Sequence, residues 1–136
     1  MQNEESGSLP RNTLDLISPF HFTFDRDLKV ISAGKGIKKI APNIIGSDFA
    51  ELFQFKRPFS TLYEFDSIIK YTKQIFLLDA VDSELTLRGQ IIYVERSEEL
   101  IFIGSPWVTK VNDLEKYGLL ITDFALNDTT PDFLHV

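Results

Sequence analysis

Cysteine is missing from this chain, and its absence excludes several kinds of chemistry at once. Disulfides, thiolate zinc sites, iron–sulfur clusters and cysteine nucleophiles all require that side chain. Histidine is nearly missing too, with two copies, His21 and His135. The sequence therefore offers little material for catalysis or for metal binding.

The motifs that could suggest an active site all have a simpler structural interpretation. His21 lies alone on a predicted strand, where an imidazole without a positioned partner is usually a hydrogen-bonded structural residue. The stretch GKGIKK lacks the four-residue glycine spacing and the Lys-Ser or Lys-Thr ending of a phosphate loop. Four aspartates at hairpin ends fit ordinary turn chemistry, namely Asp25, Asp27, Asp79 and Asp82. We predict no catalytic residue, no cofactor site and no metal site, so this domain is not expected to be an enzyme.

Basic residues are scarce relative to acidic ones. Lys and Arg total 14 against 20 Asp and Glu, which gives a net charge of -6. Phosphate backbones and anionic lipid surfaces are bound through Lys and Arg, so this balance argues against nucleic acid and membranes as partners. No apolar run approaches the ~20 residues that cross a bilayer, and the start, MQNEESGSLP, lacks the features of a secretory signal. We therefore expect a cytoplasmic protein.

The chain does contain enough apolar material for one folded domain. Its 136 residues are 43% hydrophobic and include 12 phenylalanines, which suffices for a single core. Phe20, Phe22 and Phe24 alternate with polar residues as in a half-buried strand, and LKVISA completes a hairpin after a polar turn. A short amphipathic helix of one or two turns is predicted before this hairpin, ending before Pro19.

Helical patterns dominate residues 37–73, and three strands follow them. The longest helix is predicted at TLYEFDSIIKYTK, where Thr61 and Glu64 have capping-box spacing. QIFLLDAV and two longer apolar runs, at about residues 85–95 and 100–110 with ERSEE as their turn, are typical of strands. This order predicts an α+β fold, a five-stranded antiparallel sheet with an N-terminal helical segment, short helices and one longer helix on one face.

The two ends of the chain differ from this middle. VNDLEKYG is predicted to hold one or two helical turns that stop at Gly118. In TTPDFLHV, Thr130 and Pro131 have the positions of an N-cap and a first helical residue. We expect residues 1–8 to be disordered or a linker, residues 9–127 to form the domain, and residues 128–136 to begin a truncated C-terminal signalling helix.

Four stretches carry a resemblance to a known family: PFHFTFDRDL, LFQFKRP, LRGQIIYVE and SPWVTKVNDLEKYGLLITDFALNDTTPDFL. They resemble the haem-NO-binding-associated, PAS-like domain of soluble guanylate cyclases, which also occurs in some bacterial, notably cyanobacterial, sensor histidine kinases. The resemblance spans about residues 14–136. One departure is the short link DAVDSE, where animal cyclase subunits tend to carry a longer insertion. The short link favours a histidine kinase as the output of the full protein, with a guanylate cyclase second.

The resemblance implies a PAS-like domain that pairs subunits and relays a signal without catalysing a reaction. In that family a separate haem domain senses nitric oxide, and a following coiled coil passes the signal to the output domain. The expected partners are therefore a second copy of this chain in a homodimer, a haem NO-binding domain protein, and the coiled coil and kinase output of the longer chain.

A physical argument for pairing stands beside the resemblance. A sheet with apolar residues on both faces, such as Ile91 and Ile92, would expose a large apolar patch unless something covered it. We expect a symmetric homodimer, since two-fold pairing is the commonest assembly. The predicted interface residues are Leu14, Leu16, Ile17, Phe20, Phe22 and Trp107. For Trp107, packing in the core or at a sheet edge is the simpler alternative.

The alternative function is a sensor that binds a small apolar ligand between helix and sheet. Flavin-adduct and thioester chromophores would need a cysteine, and haem would need a histidine on the helix predicted at residues 61–73, which has none. An absorption spectrum and the native mass of the purified domain would separate the two functions.

Overall fold

A computed structural model describes residues 11–107, 111–125 and 128 of the chain. Its elements, in chain order, are helix α1 (Arg11–Ile17), strands β1 (Phe22–Phe24) and β2 (Val30–Ala33), helices α2 (Lys35–Ile40) and α3 (Phe49–Leu52), strand β3 (Phe53–Arg57), helix α4 (Phe65–Ile69), strands β4 (Phe76–Ala80), β5 (Thr86–Val94) and β6 (Glu99–Pro106), helix α5 (Val111–Lys116) and a single 3-10 turn (Ile121–Asp123).

All six strands form one antiparallel sheet in the order β2-β1-β6-β5-β4-β3. The β5–β6 hairpin forms its centre, with a continuous register from Leu87 opposite Pro106 to Val94 opposite Glu99. The predicted α+β fold is confirmed, as are α1, the first hairpin and the three strands at the end of the sheet. The described residues form six strands where the sequence predicted five.

The additional strand is β3, which lies in a region that the sequence predicted to be helical. Phe53 and Phe55 are buried while Gln54 and Lys56 are exposed, the two-residue period of a strand with one face on the core. The stretch FQFKR carries this signal in the sequence, but it is only five residues long and follows α3 directly.

The long helix predicted over residues 61–73 is wrong in its extent, because α4 contains only five residues, Phe65–Ile69. Thr61 does not cap it. The Thr61 hydroxyl donates instead to the carbonyl oxygen of Pro58 at 2.8 Å, and the amide of Leu62 donates to the hydroxyl of Ser67 at 3.1 Å. These side-chain hydrogen bonds hold the preceding residues in a turn, since Ser and Thr hydroxyls compete with helical hydrogen bonding.

The helices and the sheet enclose a core that is rich in phenylalanine. Phe49 of α3 lies at its centre, with ring centroids 5.0 Å from Phe24, 5.8 Å from Phe53 and 5.2 Å from Phe55. Phe22 stacks on Phe53 at 5.4 Å. Aromatic pairs at these separations add to the free energy of burial, so this cluster stabilises the core beyond the burial of its surface alone.

The segment after β6 packs back onto the domain. Leu114 of α5, Leu119 and Phe124 are all buried, although Leu120 between them is exposed. Gly118 has φ of +70°, as predicted for the residue that stops α5. The helix start predicted at Thr130 and Pro131, and residues 1–8, lie outside the described residues.

Candidate functional site

The candidate site is the face of the sheet that points away from the helices, called here the outer face. On β5, Leu87 and Ile91 are fully buried toward the core, so the alternation of a strand places Arg88, Gln90 and Ile92 on the outer face. Ile92 keeps 39% of its surface exposed.

The neighbouring strand continues this apolar outer face. Leu100 and Phe102 of β6 are fully buried, which places Ile101 and Ile103 on the outer face beside β5. Ile101 lies opposite Ile92 in the sheet register. The centre of the outer face is therefore a row of isoleucines, a surface that favours contact with another apolar surface over contact with water.

Helix α1 lies over one end of the outer face. Ile17 and Ser18 at the end of α1 border a cleft of about 190 Å³, whose opposite wall includes Arg88, Ile103 and Ser105. The hydroxyl groups of Ser18 and Ser105 are buried there without a hydrogen-bond partner. A buried unpaired hydroxyl costs free energy, so α1 is not held on the sheet by optimal polar contacts.

Two residues predicted for the dimer interface belong instead to the core of the protomer. Phe20 and Phe22 are both fully buried, and the ring of Phe22 lies 5.2 Å from that of Phe102. Phe22 and Phe24 do lie in a strand, as predicted, but their side chains face the core. Phe20 and Phe22 are therefore removed from any surface that a partner could contact.

The other predicted interface residues are accessible. Leu16 is 77% exposed and Ile17 is 47% exposed, while Leu14 is half-buried. Trp107 is 55% exposed, and its amide donates to the carbonyl oxygen of Thr86 at 2.8 Å, which fixes the backbone next to the outer face. The predicted set omitted Ile101 and Ile103, although their alternation with Leu100 and Phe102 marks them in the sequence.

Helix α1 and the segment after β6 are connected through the core. The rings of Phe20, just after α1, and Phe124 lie 5.2 Å apart. His21 is 3% exposed, and its Nδ1 lies 2.8 Å from the carbonyl oxygen of Ser18, so it acts there as a hydrogen-bond donor. His21 is thus the structural residue that the sequence predicted.

Ion pairs fasten the segment after β6 to the rest of the domain. Lys39 of α2 donates to Asp123 at 2.8 Å. Partial burial opposes ionisation of Asp123, but hydrogen bonds from Lys39 and from the amide of Leu120 outweigh it and lower the pKa of Asp123. Lys116 donates to Glu84 at 2.6 Å, and this hydrogen bond lowers the pKa of Glu84.

Other kinds of site find little support in the part of the chain that is described. There, no group of three or more His, Cys, Asp or Glu side chains is placed to hold a metal ion. Within the same residues, every helix is too short or too polar to cross a bilayer. The phenylalanine cluster around Phe49 occupies the centre of the space between helices and sheet, and beside it lies a cleft of about 510 Å³ lined by Ile40, Leu52, Phe53 and Ala80.

Comparison with known proteins shows which family the chain belongs to. The model of the family described as "Heme NO binding associated" matches residues 8–86 and 80–136, which together cover nearly the whole chain. The chain belongs to the heme NO binding associated family. The resemblance predicted from the sequence is therefore confirmed.

The chain is also similar to several guanylate cyclases. "Guanylate cyclase soluble subunit beta-2" of Rattus norvegicus is 36% identical over 128 residues, which cover 85% of the chain and 19% of the relative. "Head-specific guanylate cyclase" of Drosophila melanogaster is 31% identical over 130 residues, covering 87% of the chain and 19% of the relative. "Guanylate cyclase soluble subunit alpha-1" of Rattus norvegicus is 29% identical over 130 residues, covering 84% and 18%. The chain thus spans about a fifth of the length of these relatives.

Proposed function

We propose that this chain is a non-catalytic, cytoplasmic dimerisation and signal-relay domain of a nitric-oxide-responsive sensor protein. Membership of the heme NO binding associated family supports the link to nitric oxide. The names of two of the similar proteins call them subunits of soluble guanylate cyclases, which supports a role in an assembly. A haem protein is the partner from which the domain receives its signal.

The outer face is the observation that carries the proposal of dimerisation. Its row of isoleucines is covered at one end by α1 and stays partly exposed at Ile92. A second copy would bury this row together with the exposed Leu16 and Ile17 of α1. A two-fold axis through the outer face would bring the same residues of both copies together, as a symmetric homodimer requires.

The path of the signal runs from α1 to the segment after β6. Any displacement of α1 in a dimer changes the position of Phe20, and Phe20 packs against Phe124. The unpaired hydroxyls of Ser18 and Ser105 favour a second position of α1, in which these hydroxyls would form hydrogen bonds. A coiled coil that continues from this segment would pass the change to the output domain.

A histidine kinase is the proposed output of the full protein. The connection between β4 and β5 is short, whereas animal cyclase subunits tend to carry a longer insertion at this place. Only residues 81–85 separate these strands. The ligand-sensor alternative has less support, because the phenylalanine cluster fills the centre of the core and leaves only the cleft of about 510 Å³ beside Leu52 and Phe53.

Measurement of solution mass tests the proposed dimer. At high micromolar concentration, sedimentation equilibrium should give twice the 15.6 kDa mass of one chain. Substitution Ile101→Glu places a charge in the middle of the row of isoleucines and should return the mass to that of one chain. Ile45→Glu is the matched control, because Ile45 is 51% exposed in the loop between α2 and α3 and should leave the dimer intact.

Two results would contradict the proposal. One is a single-chain mass for the unaltered protein over the whole concentration range. The other is an I101E protein that remains folded by circular dichroism and still pairs as strongly as the parent.

A further inference from the structure

A second surface of the domain has features of a docking site and lies apart from the outer-face isoleucines. It is formed by the loop after β3, at the edge of the sheet. Phe59 is 87% exposed, more than any other large hydrophobic residue that the structure describes, and Leu62 in the same loop is 59% exposed. Exposed apolar residues grouped in one loop are typical of an interaction site.

Hydrogen bonds hold this loop in one conformation. Thr61, between the two exposed residues, is 5% exposed, and its hydroxyl donates to the carbonyl oxygen of Pro58 at 2.8 Å. The amide of Leu62 donates to the hydroxyl of Ser67 at 3.1 Å. Phe59 and Leu62 are therefore presented to solvent by an ordered loop, which lowers the entropy cost of binding a partner.

The same loop lies against the last strand of the sheet. The amide of Phe55 in β3 donates to the hydroxyl of Tyr63 at 3.2 Å, and the two rings lie 5.0 Å apart. Because β3 has a strand neighbour on one side only, it is an edge strand, but its Phe53 and Phe55 amides already donate to the carbonyl oxygen of Phe49 and to the hydroxyl of Tyr63. A partner would therefore bind here through side chains and not by adding a strand to the sheet.

Basic residues surround these apolar side chains. Lys56 and Arg57 end β3, and Lys73 lies three residues before β4. Since Arg57 is opposite Leu77 in the register, all three belong to the same end of the β3–β4 pair. All three are exposed, and within the described residues none of them forms an ion pair. The patch is therefore a local group of positive charges in a chain with a net charge of -6.

We propose that the edge patch, defined as Lys56, Arg57, Phe59, Leu62, Tyr63 and Lys73, binds an acidic, apolar segment of a partner protein. Its free cations complement carboxylates, and Phe59 and Leu62 complement apolar side chains. Hydrogen bonds fix the positions of Phe59 and Leu62, which favours a partner of defined shape over the fluid surface of a lipid bilayer.

The test uses the whole chain, labelled with ¹⁵N, and defined probes. The acidic probe is a short synthetic peptide that alternates glutamate with leucine and phenylalanine, and its control replaces each glutamate with lysine. Only the acidic peptide should shift the amide resonances of residues 56, 57, 59–63 and 73. Its affinity should fall as salt is added, because salt screens exposed charges.

Matched double variants separate the edge patch from general charge effects. Arg57→Glu with Lys73→Glu should weaken binding of the acidic peptide about tenfold or more, because two attractive contacts become repulsive. Lys35→Glu with Lys38→Glu, the same change of charge on exposed residues of α2, should leave the affinity within about twofold. Phe59→Ser should weaken binding while the chain remains folded by circular dichroism.

Three results would overturn the proposal. The first is the absence of localised shifts with the acidic peptide. The second is equal binding of the lysine peptide. The third is binding of phosphatidylserine vesicles through the edge patch, lost in Phe59→Ser, without binding of the acidic peptide, which would make the surface a membrane site.

Discussion

Phe20 and Phe124 lie with their ring centroids 5.2 Å apart, although more than a hundred positions separate them in the chain. Phe20 follows α1, and Phe124 ends the 3-10 turn after β6. Both side chains are buried. The contact therefore joins the two segments that flank the sheet, and a change on one side reaches the other through close-packed atoms.

Truncation of this contact should both destabilise the domain and loosen its two flanking segments. Phe124→Ala removes a ring that is 6% exposed, so we expect the free energy of unfolding to fall by about 3 kcal/mol. Amide hydrogen exchange in α1 should accelerate more than exchange in β5, because α1 loses a partner while the centre of the sheet does not. Urea denaturation and hydrogen exchange measure the two effects.

Leu120→Ala provides the control for Phe124→Ala. Leu120 lies just before the same turn but is 61% exposed, so its loss should change the free energy of unfolding by less than about 0.5 kcal/mol. If Phe124→Ala accelerated exchange equally throughout the sheet, the contact would contribute only to global stability and not to coupling between the segments.

Sequence patterns predicted most of the sheet because alternation of apolar residues is a local property. Phe22 with Phe24 and Leu100 with Phe102 show their strands directly, and the polar turn ERSEE joins β5 to β6. The side to which each apolar row faces is not a local property. It depends on where the helices pack, which explains why Phe20 and Phe22 were assigned to a dimer surface and are found in the core.

The errors between residues 49 and 73 have a related cause. Leu62, Phe65 and Ile69 have the spacing of one helical stripe, although α4 contains only the part from Phe65 onward. Side-chain hydrogen bonds from Thr61 and to Ser67 decide the outcome, and their geometry depends on tertiary contacts that no spacing rule contains. In the candidate site, Ile101 and Ile103 could have been identified from alternation alone.

The phenylalanine cluster should tolerate little loss of volume. Phe49 is fully buried and packs against four other aromatic rings within 6.1 Å, those of Phe22, Phe24, Phe53 and Phe55. We expect Phe49→Ala to reduce the free energy of unfolding by about 4 kcal/mol, as in other truncations of buried phenylalanines. Chemical denaturation measures the loss.

Ligand binding provides a second measurement on the same variant. Toluene should bind more tightly to Phe49→Ala, which contains a new apolar cavity, than to the unaltered protein, in which the buried Phe49 ring fills that space. Stabilisation of the unaltered protein by toluene would instead revive the alternative function of an apolar-ligand sensor.

Close packing of two glycines at the centre of the β5–β6 pair should make Gly104 sensitive to substitution. A Cβ atom on Gly104 would overlap the carbonyl oxygen of Arg88 and would lie 2.6 Å from Cζ of Phe102 and 2.8 Å from Cα of Gly89. The strands would have to move apart, so Gly104→Ala should cost about 1–3 kcal/mol of unfolding free energy. Thermal denaturation checks this expectation.

Ser105→Ala, at the next position, should behave in the opposite way. The Ser105 hydroxyl is buried without a hydrogen-bond partner, so its removal relieves an unsatisfied polar group. We expect unchanged or increased stability for this variant. A large loss of stability in Ser105→Ala would show that the hydroxyl has a structural role, and near-neutral behaviour of Gly104→Ala would show that the sheet adapts easily at its centre.

The ion pair between Lys39 and Asp123 predicts a pH dependence of the contact between α2 and the segment after β6. The pKa of Asp123 lies below its ordinary value of 3.8, because hydrogen bonds from Lys39 and the Leu120 amide outweigh the opposing effect of partial burial. As the pH falls, the unfolded chain binds a proton at this carboxyl before the folded chain does. The stabilisation is therefore complete above pH 3.8 and is lost as the pH falls from 3.8 through the lower pKa of the folded state.

Substitution of Lys39 isolates this effect. Lys39→Met should raise the pKa of Asp123, measured by NMR titration of its carboxyl carbon, and should reduce stability at neutral pH by less than about 1 kcal/mol, since Lys39 is well exposed. Lys38→Met removes a neighbouring exposed charge without this hydrogen bond and should leave the pKa of Asp123 nearly unchanged. If Lys39→Met and the unaltered protein had equal pKa values of Asp123, the Leu120 amide alone would stabilise the carboxylate. The contact between α2 and the segment after β6 would then not depend on the ionisation of Asp123.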